Sequence, residues 1–187
     1  DFRMGGFSCR IFNAGNTHVQ IAELAGDSLR LIETVPTAEF RVEDFAVETM
    51  AVASLVPDLE ERFRKAGAFI VSSRMANCPV DLSRMEHAET LGADRLANAA
   101  SLIVSGSLPA LCVDFGTAIN LEFVDADRCM CGGAIFPGRR ILRRSLNDYT
   151  AKLPVTPLTE WIPDFPGNNT VDAINLGVDC AALGAVK

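Results

Sequence analysis

Residues 12–17 read Phe-Asn-Ala-Gly-Asn-Thr, and residues 113–118 read Val-Asp-Phe-Gly-Thr-Ala. In each, a short polar side chain, Asn13 or Asp114, stands two positions before a Gly, and a Thr lies within two residues after it. Such a turn suits a polyphosphate. The Gly lets the backbone approach closely, N–H groups and the Thr hydroxyl donate to phosphate oxygens, and an acid at the strand end holds a metal or a water. Each turn follows a short apolar run, Cys9–Phe12 (with one Arg) or Leu111-Cys112-Val113, and leads into a strand-like stretch. Two such turns about a hundred residues apart point to a duplicated lobe with nucleotide between the copies.

A second kind of chemistry is offered by Leu91-Gly92-Ala93-Asp94-Arg95. Gly92 interrupts the preceding segment, which puts Asp94 and Arg95 in the first turn of an apolar helix. There the acid could accept a proton from a substrate hydroxyl, and the guanidinium could hold an anionic group of the same substrate. The plainer alternative is an acid that only complements the helix dipole, with Arg95 on the surface. Cys131-Gly132-Gly133-Ala134-Ile135-Phe136-Pro137-Gly138 allows either close backbone approach to a ligand or a tight packing corner. Thr170 follows Gly167-Asn168-Asn169 at a helix start, where its plain role is N-cap. His18 either approaches a phosphate or sits as a strand residue at the rim.

The elements that must position these residues follow from the pattern. Strands are expected at Cys9–Phe12, Val19–Leu24 and Leu29–Val35, with a turn at Ala25-Gly26-Asp27-Ser28. A helix over Val42–Met50 follows from the four-residue spacing of Phe45 and Thr49. Ala51–Leu55 reads as a buried strand closed by Pro57, Asp58–Ala66 as a charged helix capped by Asp58, and Ala68–Ser72 as a strand. The clearest helix is Gly92–Val104, where Leu96, Ala99, Ala100 and Ile103 share a face. Leu111–Val113, Ile119–Val124 and Met130–Phe136 are strands, the last two joined by a turn at Asp125-Ala126-Asp127. Ile141–Thr150 is a helix, Lys152–Gly167 with its four Pro an ordered loop, and Val171–Val186 a final helix. The opening order βββ-α-β-α-β is that of an actin-like ATPase lobe, with a parallel core sheet and an antiparallel hairpin at its edge.

The 187 residues are 49% hydrophobic and 22% charged, enough for a real core and too apolar for a disordered chain. A formal charge of −7 argues against direct nucleic-acid binding. The densest basic cluster, Arg139-Arg140 with Arg143-Arg144, covers a helix face or meets one anionic ligand. No apolar run reaches the ~20 residues of a membrane helix, and the start of the chain lacks a charged-then-apolar signal pattern. A cytoplasmic protein without membrane contact is therefore expected, with Asp1–Gly6 a ragged start. Of the six Cys, Cys129-Met130-Cys131 would aim two thiols at one strand face. No His or second Cys pair lies nearby in sequence to complete a zinc site, so reduced core or surface thiols are the expectation.

In order, these pieces resemble the type III pantothenate kinases. The residues that carry the likeness are Asn13-Ala14-Gly15-Asn16-Thr17, Ala53-Ser54-Leu55-Val56-Pro57, Gly92-Ala93-Asp94-Arg95 and Val113-Asp114-Phe115-Gly116-Thr117-Ala118. They continue through Gly132–Gly138 and Thr150-Ala151-Lys152-Leu153-Pro154 to Asn169-Thr170-Val171-Asp172-Ala173-Ile174 with Gly177. The resemblance implies an α/β fold of duplicated actin-like (ribonuclease H-like) lobes with mixed sheets and flanking helices. The first lobe spans residues 9–108; the second, 109–187, is shortened at its C-terminal end. It also implies ATP-dependent phosphorylation of pantothenate, the first step toward coenzyme A, by a homodimer using Mg and a monovalent cation, K+ or NH4+. By that pattern Asp94 is the general base. Gly92, Ala93, Asp94, Arg95 and Thr170 line the pantothenate site. Asn13, Ala14, Gly15, Asn16, Thr17, His18, Val19, Gln20 and Thr117 meet the ATP phosphates, and Asp114 is the monovalent-cation ligand.

The chain departs from the family pattern where Asn13 replaces an Asp. An amide keeps the hydrogen bonds and loses the charge that helps hold hydrated Mg, so activity lowered by ~10²-fold or more is expected. Ile119-Asn120 also replaces the polar Thr often found after the second turn. The shortened second lobe bears on nucleotide affinity and on folding without a partner chain. Two other readings follow: a weakened or inactive relative that binds nucleotide as a regulator, like an accessory transcription factor, and another small-molecule kinase on the same fold.

Overall fold

The structure is a computed structural model that describes residues 8–26 and 28–186. Asp1–Gly6 and Asp27 of the expected hairpin turn lie outside the described residues. The chain divides into two compact units. One runs to Pro109 and adds Val124–Cys131; the other comprises Ala110–Phe123 and the residues from Gly132 onward.

In the first unit, β1 (Ser8–Ala14), β2 (His18–Ala25) and β3 (Ser28–Pro36) form an antiparallel run. A short α1 (Val42–Phe45), then β4 (Met50–Ser54), α2 (Pro57–Lys65) and β5 (Phe69–Ile70) follow. The sheet order is β3-β2-β1-β4-β5, with β1 parallel to β4 and β4 parallel to β5. The result is a mixed sheet with β1 at its centre. Strand alternation aims Phe12 and Ala14 inward and Asn13 outward. Phe12 packs against Phe63 and Phe40 with ring centroids 4.7 and 6.0 Å apart, which anchors α2 to the sheet. Burying a ring of this size contributes about 2–3 kcal/mol.

A second core in the same unit lies under α3 (Ala93–Ser105). Leu96, Ala99 and Ile103 at helical spacing pack with Val80, Val124 and Met130. Gly106, at φ 73°, ends the helix in the left-handed conformation that a residue without a Cβ adopts readily.

Three expectations differ from this arrangement. The helix expected over Val42–Met50 stops at Phe45, because Met50 already pairs with Arg10 as the first residue of β4. The sheet takes residues that the Phe45–Thr49 spacing had assigned to a helix. Pro57 does not close the strand from outside; it is the first residue of α2, with Val56 rather than Asp58 at the N-cap. Its fixed φ and missing N–H suit that position, and Asp58 instead lies in the first turn. The strand expected at Ala68–Ser72 shrinks to the two residues that pair with Ala51 and Val52.

The second unit contains β6 (Ala110–Phe115), β7 (Ala118–Val124) and β8 (Met130–Pro137), in the order β6-β7-β8. Connections this short join only antiparallel neighbours. Val124–Cys131, at the tip of the β7–β8 hairpin, belong to the first unit. Helices α4 (Arg139–Asp148) and α5 (Thr170–Gly184) complete the second unit. The arginine cluster on α4 meets an internal carboxylate. Arg139 and the buried Arg143 both donate to Asp179 of α5, at 2.6–3.1 Å. Asn175 accepts from Arg143 Nε at 2.9 Å and from Thr156 at 2.8 Å, and the Thr159 carbonyl accepts from Arg139 at 2.9 Å. These bonds order the Pro-rich loop against α4 and α5, as expected of a segment that cannot be helical. Among the described residues, no helix is long and apolar enough to cross a membrane.

Candidate functional site

In the first unit the β1–β2 hairpin carries Asn13, Asn16, Thr17, His18 and Gln20 with their side chains exposed, while Ala14 and Val19 are buried. Asn13 and Gln20 are cross-strand partners, and Asn13 Nδ2 donates to Gln20 Oε1 at 3.1 Å. Gly15 donates its N–H to the His18 carbonyl at 3.0 Å, which closes the turn. That donor is spent inside the turn. His18 is the first residue of β2, exposed at the end of the strand.

Asp94 stands in the first turn of α3, half-buried, and its Oδ1 accepts from the Arg95 N–H at 2.8 Å. Gly92, at the N-cap, explains itself here. A methyl group on Gly92 would come within 2.7 Å of Asp94 Oδ1 and 3.2 Å of Leu55 Cδ2. The glycine leaves the room in which the carboxylate folds back over the helix start. A Gly92→Ala substitution should push the carboxylate aside. If Asp94 is the base that the family pattern implies, a displacement near 1 Å costs ~10²-fold, so kcat should fall by about that factor while the melting temperature barely moves. Steady-state kinetics beside thermal unfolding checks this.

In the second unit Asp114 is the penultimate residue of β6, as Asn13 is of β1. Gly116 donates its N–H to the Ala118 carbonyl at 2.9 Å, again spending the glycine donor within the turn. Thr117 is exposed and Asp114 half-buried. Burial pushes the Cys112 thiol above its usual range, and the carboxylates of Glu122 and Asp114 push it the same way. Cys112 is therefore a poor nucleophile, and it sits in a negative field. Glu122 is fully buried in β7 and was not singled out from the sequence, although a charge inside the apolar run Ile119–Val124 was the available signal.

The glycine-rich strand also gains a reason. Gly138 packs flat on the Gly116 and Thr117 carbonyls, its N–H bonded to Thr117 at 3.0 Å, and no Cβ fits there. Of the two readings of that segment, a packing corner holds at Gly138: it braces the second Gly-Thr turn. Thr170 is exposed at the start of α5. The N-cap role belongs instead to Asn169, whose side chain accepts from the Asp172 N–H at 2.9 Å. Asn169 also donates to Asp172 through its amide nitrogen.

The residues thus gather as an exposed polar hairpin end and a helix-start acid in the first unit, and as a Gly-Thr turn preceded by Asp114 in the second. Exposed hydroxyl, amide and imidazole groups around a glycine fit a phosphate-bearing ligand. The sequence profile of the type III pantothenate kinase family matches residues 35–187. The type III pantothenate kinase of Methylacidiphilum infernorum is 31% identical, over 95% of this chain and 68% of that protein. That of Rubrobacter xylanophilus is 32% identical, over 92% of this chain and 74% of that protein. A solved structure of a conserved Campylobacter jejuni protein ascribed to the Baf family of transcriptional activators shares the fold. Its TM-score is 0.66 at 19% identity, covering 95% of this chain and 77% of that one. None of these matches bears out a lowered activity from Asn13. The chain belongs to the type III pantothenate kinase family.

Proposed function

We propose that the chain transfers the γ-phosphoryl group of ATP to the primary hydroxyl of pantothenate, the first step toward coenzyme A. The observation that carries this reading is the family match over residues 35–187, within which Gly92-Ala93-Asp94-Arg95 stand intact. Asp94 is the general base. Its Oδ1 is held by the Arg95 N–H, and Oδ2 takes the hydroxyl proton as the substrate oxygen bonds to phosphorus and ADP leaves. The family pattern implies that Arg95 and Thr170 each contact pantothenate, with the guanidinium suited to an anionic group of that substrate. It likewise assigns Asn13–Gln20 and Thr117 to the ATP phosphates. Mg bound to the nucleotide supplies positive charge to the transferring phosphoryl group. By the family pattern Asp114 holds a monovalent cation such as K+.

The two strand–turn–strand openings, with Asn13 and Asp114 at matching strand positions, support duplicated actin-like lobes. By the same resemblance the enzyme works as a homodimer in the cytoplasm. The decisive assay is ADP release by the purified chain with pantothenate, with and without K+. Turnover that needs both supports this reading; silence with pantothenate and Mg-ATP present rejects it.

Asn13 favours a second reading, a nucleotide-binding regulator with little turnover, and it can be tested directly. An Asp at position 13 restores a carboxylate beside Gln20, whose amide can rotate to donate to it. Asn13→Asp is expected to raise Mg-dependent turnover by ~10²-fold if charge there stabilises the transition state. Equal rates in the two proteins would remove Asn13 as a source of weakness.

A further inference from the structure

We propose that the tip of the β7–β8 hairpin binds a thiophilic divalent cation of the zinc class through Asp125, Cys129 and Cys131. The two thiols lacked a third ligand in sequence order, and the hairpin turn supplies one. One carboxylate oxygen of Asp125 and the two sulfurs all lie within 4.8 Å of one another. The Asp125 Oδ2 to Cys131 Sγ distance is 3.5 Å. A tetrahedral centre with bonds of ~2.0–2.3 Å needs ligand atoms about 3.5–3.8 Å apart, so the three are within about 1 Å of a binding geometry.

The turn fixes the carboxylate. Asp125 Oδ1 accepts from the N–H groups of Asp127 and Cys129 at 2.9 and 3.0 Å, which leaves Oδ2 on the side of the thiols. Arg128 holds a left-handed conformation, φ 66°, that lets the chain reverse. The hairpin tip is itself tied down. Asp81 donates its N–H to Arg128 O at 3.1 Å and accepts from Met130 N at 2.9 Å. Cys129 is buried, with Ser83 Oγ 3.9 Å from its sulfur. The backbone around the ligands is thus set before any metal arrives.

Arg84 is the competitor. Its Nη1 lies 2.8 Å from Asp125 Oδ2 and 3.2 Å from Cys131 Sγ, so a cation already faces both outer ligands. The Arg84 side chain is 58% exposed and can swing into solvent when a metal displaces it. Binding exchanges the two thiol protons for the metal and leaves a fourth position for water. The bound metal would then pin the hairpin tip across the turn.

The test uses the whole chain, reduced, with Co2+ as the probe. One Co2+ per chain should bind with a thiolate-to-cobalt charge-transfer band, and Zn2+ should displace it. Asp125→Asn keeps the Oδ1 acceptor that shapes the turn and removes only the Oδ2 ligand. Since even outer-shell changes cost 10–100-fold, Asp125→Asn and Cys131→Ser should each weaken binding by ~100-fold or more. Arg84→Ala should tighten it, and Cys180→Ser, at an exposed cysteine elsewhere, should leave it unchanged. Absence of the band, or a band equally strong in Cys131→Ser or Asp125→Asn, overturns the proposal.

Discussion

Asp94→Asn should lower kcat for pantothenate phosphorylation by ~10³-fold, the middle of the range for a lost general base. The amide keeps an oxygen for the Arg95 N–H, so the start of α3 and its packing through Leu96 and Ala99 should survive. The fall should therefore appear in kcat, with little change in the far-ultraviolet spectrum or the melting temperature. An acid present only to complement the helix dipole would do the opposite: it would move stability by a few tenths to ~1 kcal/mol and leave turnover alone. A variant that turns over within threefold of the parent would return Asp94 to that structural role.

The largest effect on stability is expected at Asp179. Asp179→Ala would leave Arg143, which is 1% exposed, as a buried cation without its carboxylate. Breaking such a pair from one side costs about 3–5 kcal/mol, read as a drop in the urea midpoint. Replacing both ends, Arg143→Met with Asp179→Leu, should recover much of the loss, because the pair's desolvation cost disappears with it.

The pH dependence follows from the same contacts. Burial pushes the Asp179 carboxyl up, but the hydrogen bonds and charges of Arg139 and Arg143 outweigh it and hold the group below its usual range. A carboxyl lowered by folding stabilises the protein above its unfolded pKa of ~3.9, and that contribution is lost as pH falls through the lower folded value. The parent protein should therefore lose stability more steeply below about pH 4 than Asp179→Ala does. Parallel acid limbs in the two urea series would contradict this.

Much of the fold was legible locally. Burial of Phe12 and Ala14 on either side of exposed Asn13, the helical face of α3 and the Gly-Thr turns all follow from neighbouring residues, and local sequence carries that information. The errors occur where a specific partner, far along the chain or a few residues on, overrides a local preference. Met50 leaves the expected helix because β1 offers it backbone bonds. Asn169 takes the cap because its side chain can reach the Asp172 N–H.

The site shows the same division. By itself the sequence determined the family, the order of its motifs and the presence of Asp94, Arg95, Asp114 and Thr117. Residue types and their spacing carry that much. Only the tertiary structure decided what those residues touch. It set Asn13 against Gln20, spent the turn glycines' N–H groups within the chain, and braced Gly138 on the second turn. It also turned an arginine cluster into an internal ion pair and gave two thiols a carboxylate neighbour. The ion pair joins residues 40 positions apart in the chain. At that range geometry, not sequence spacing, selects the partner.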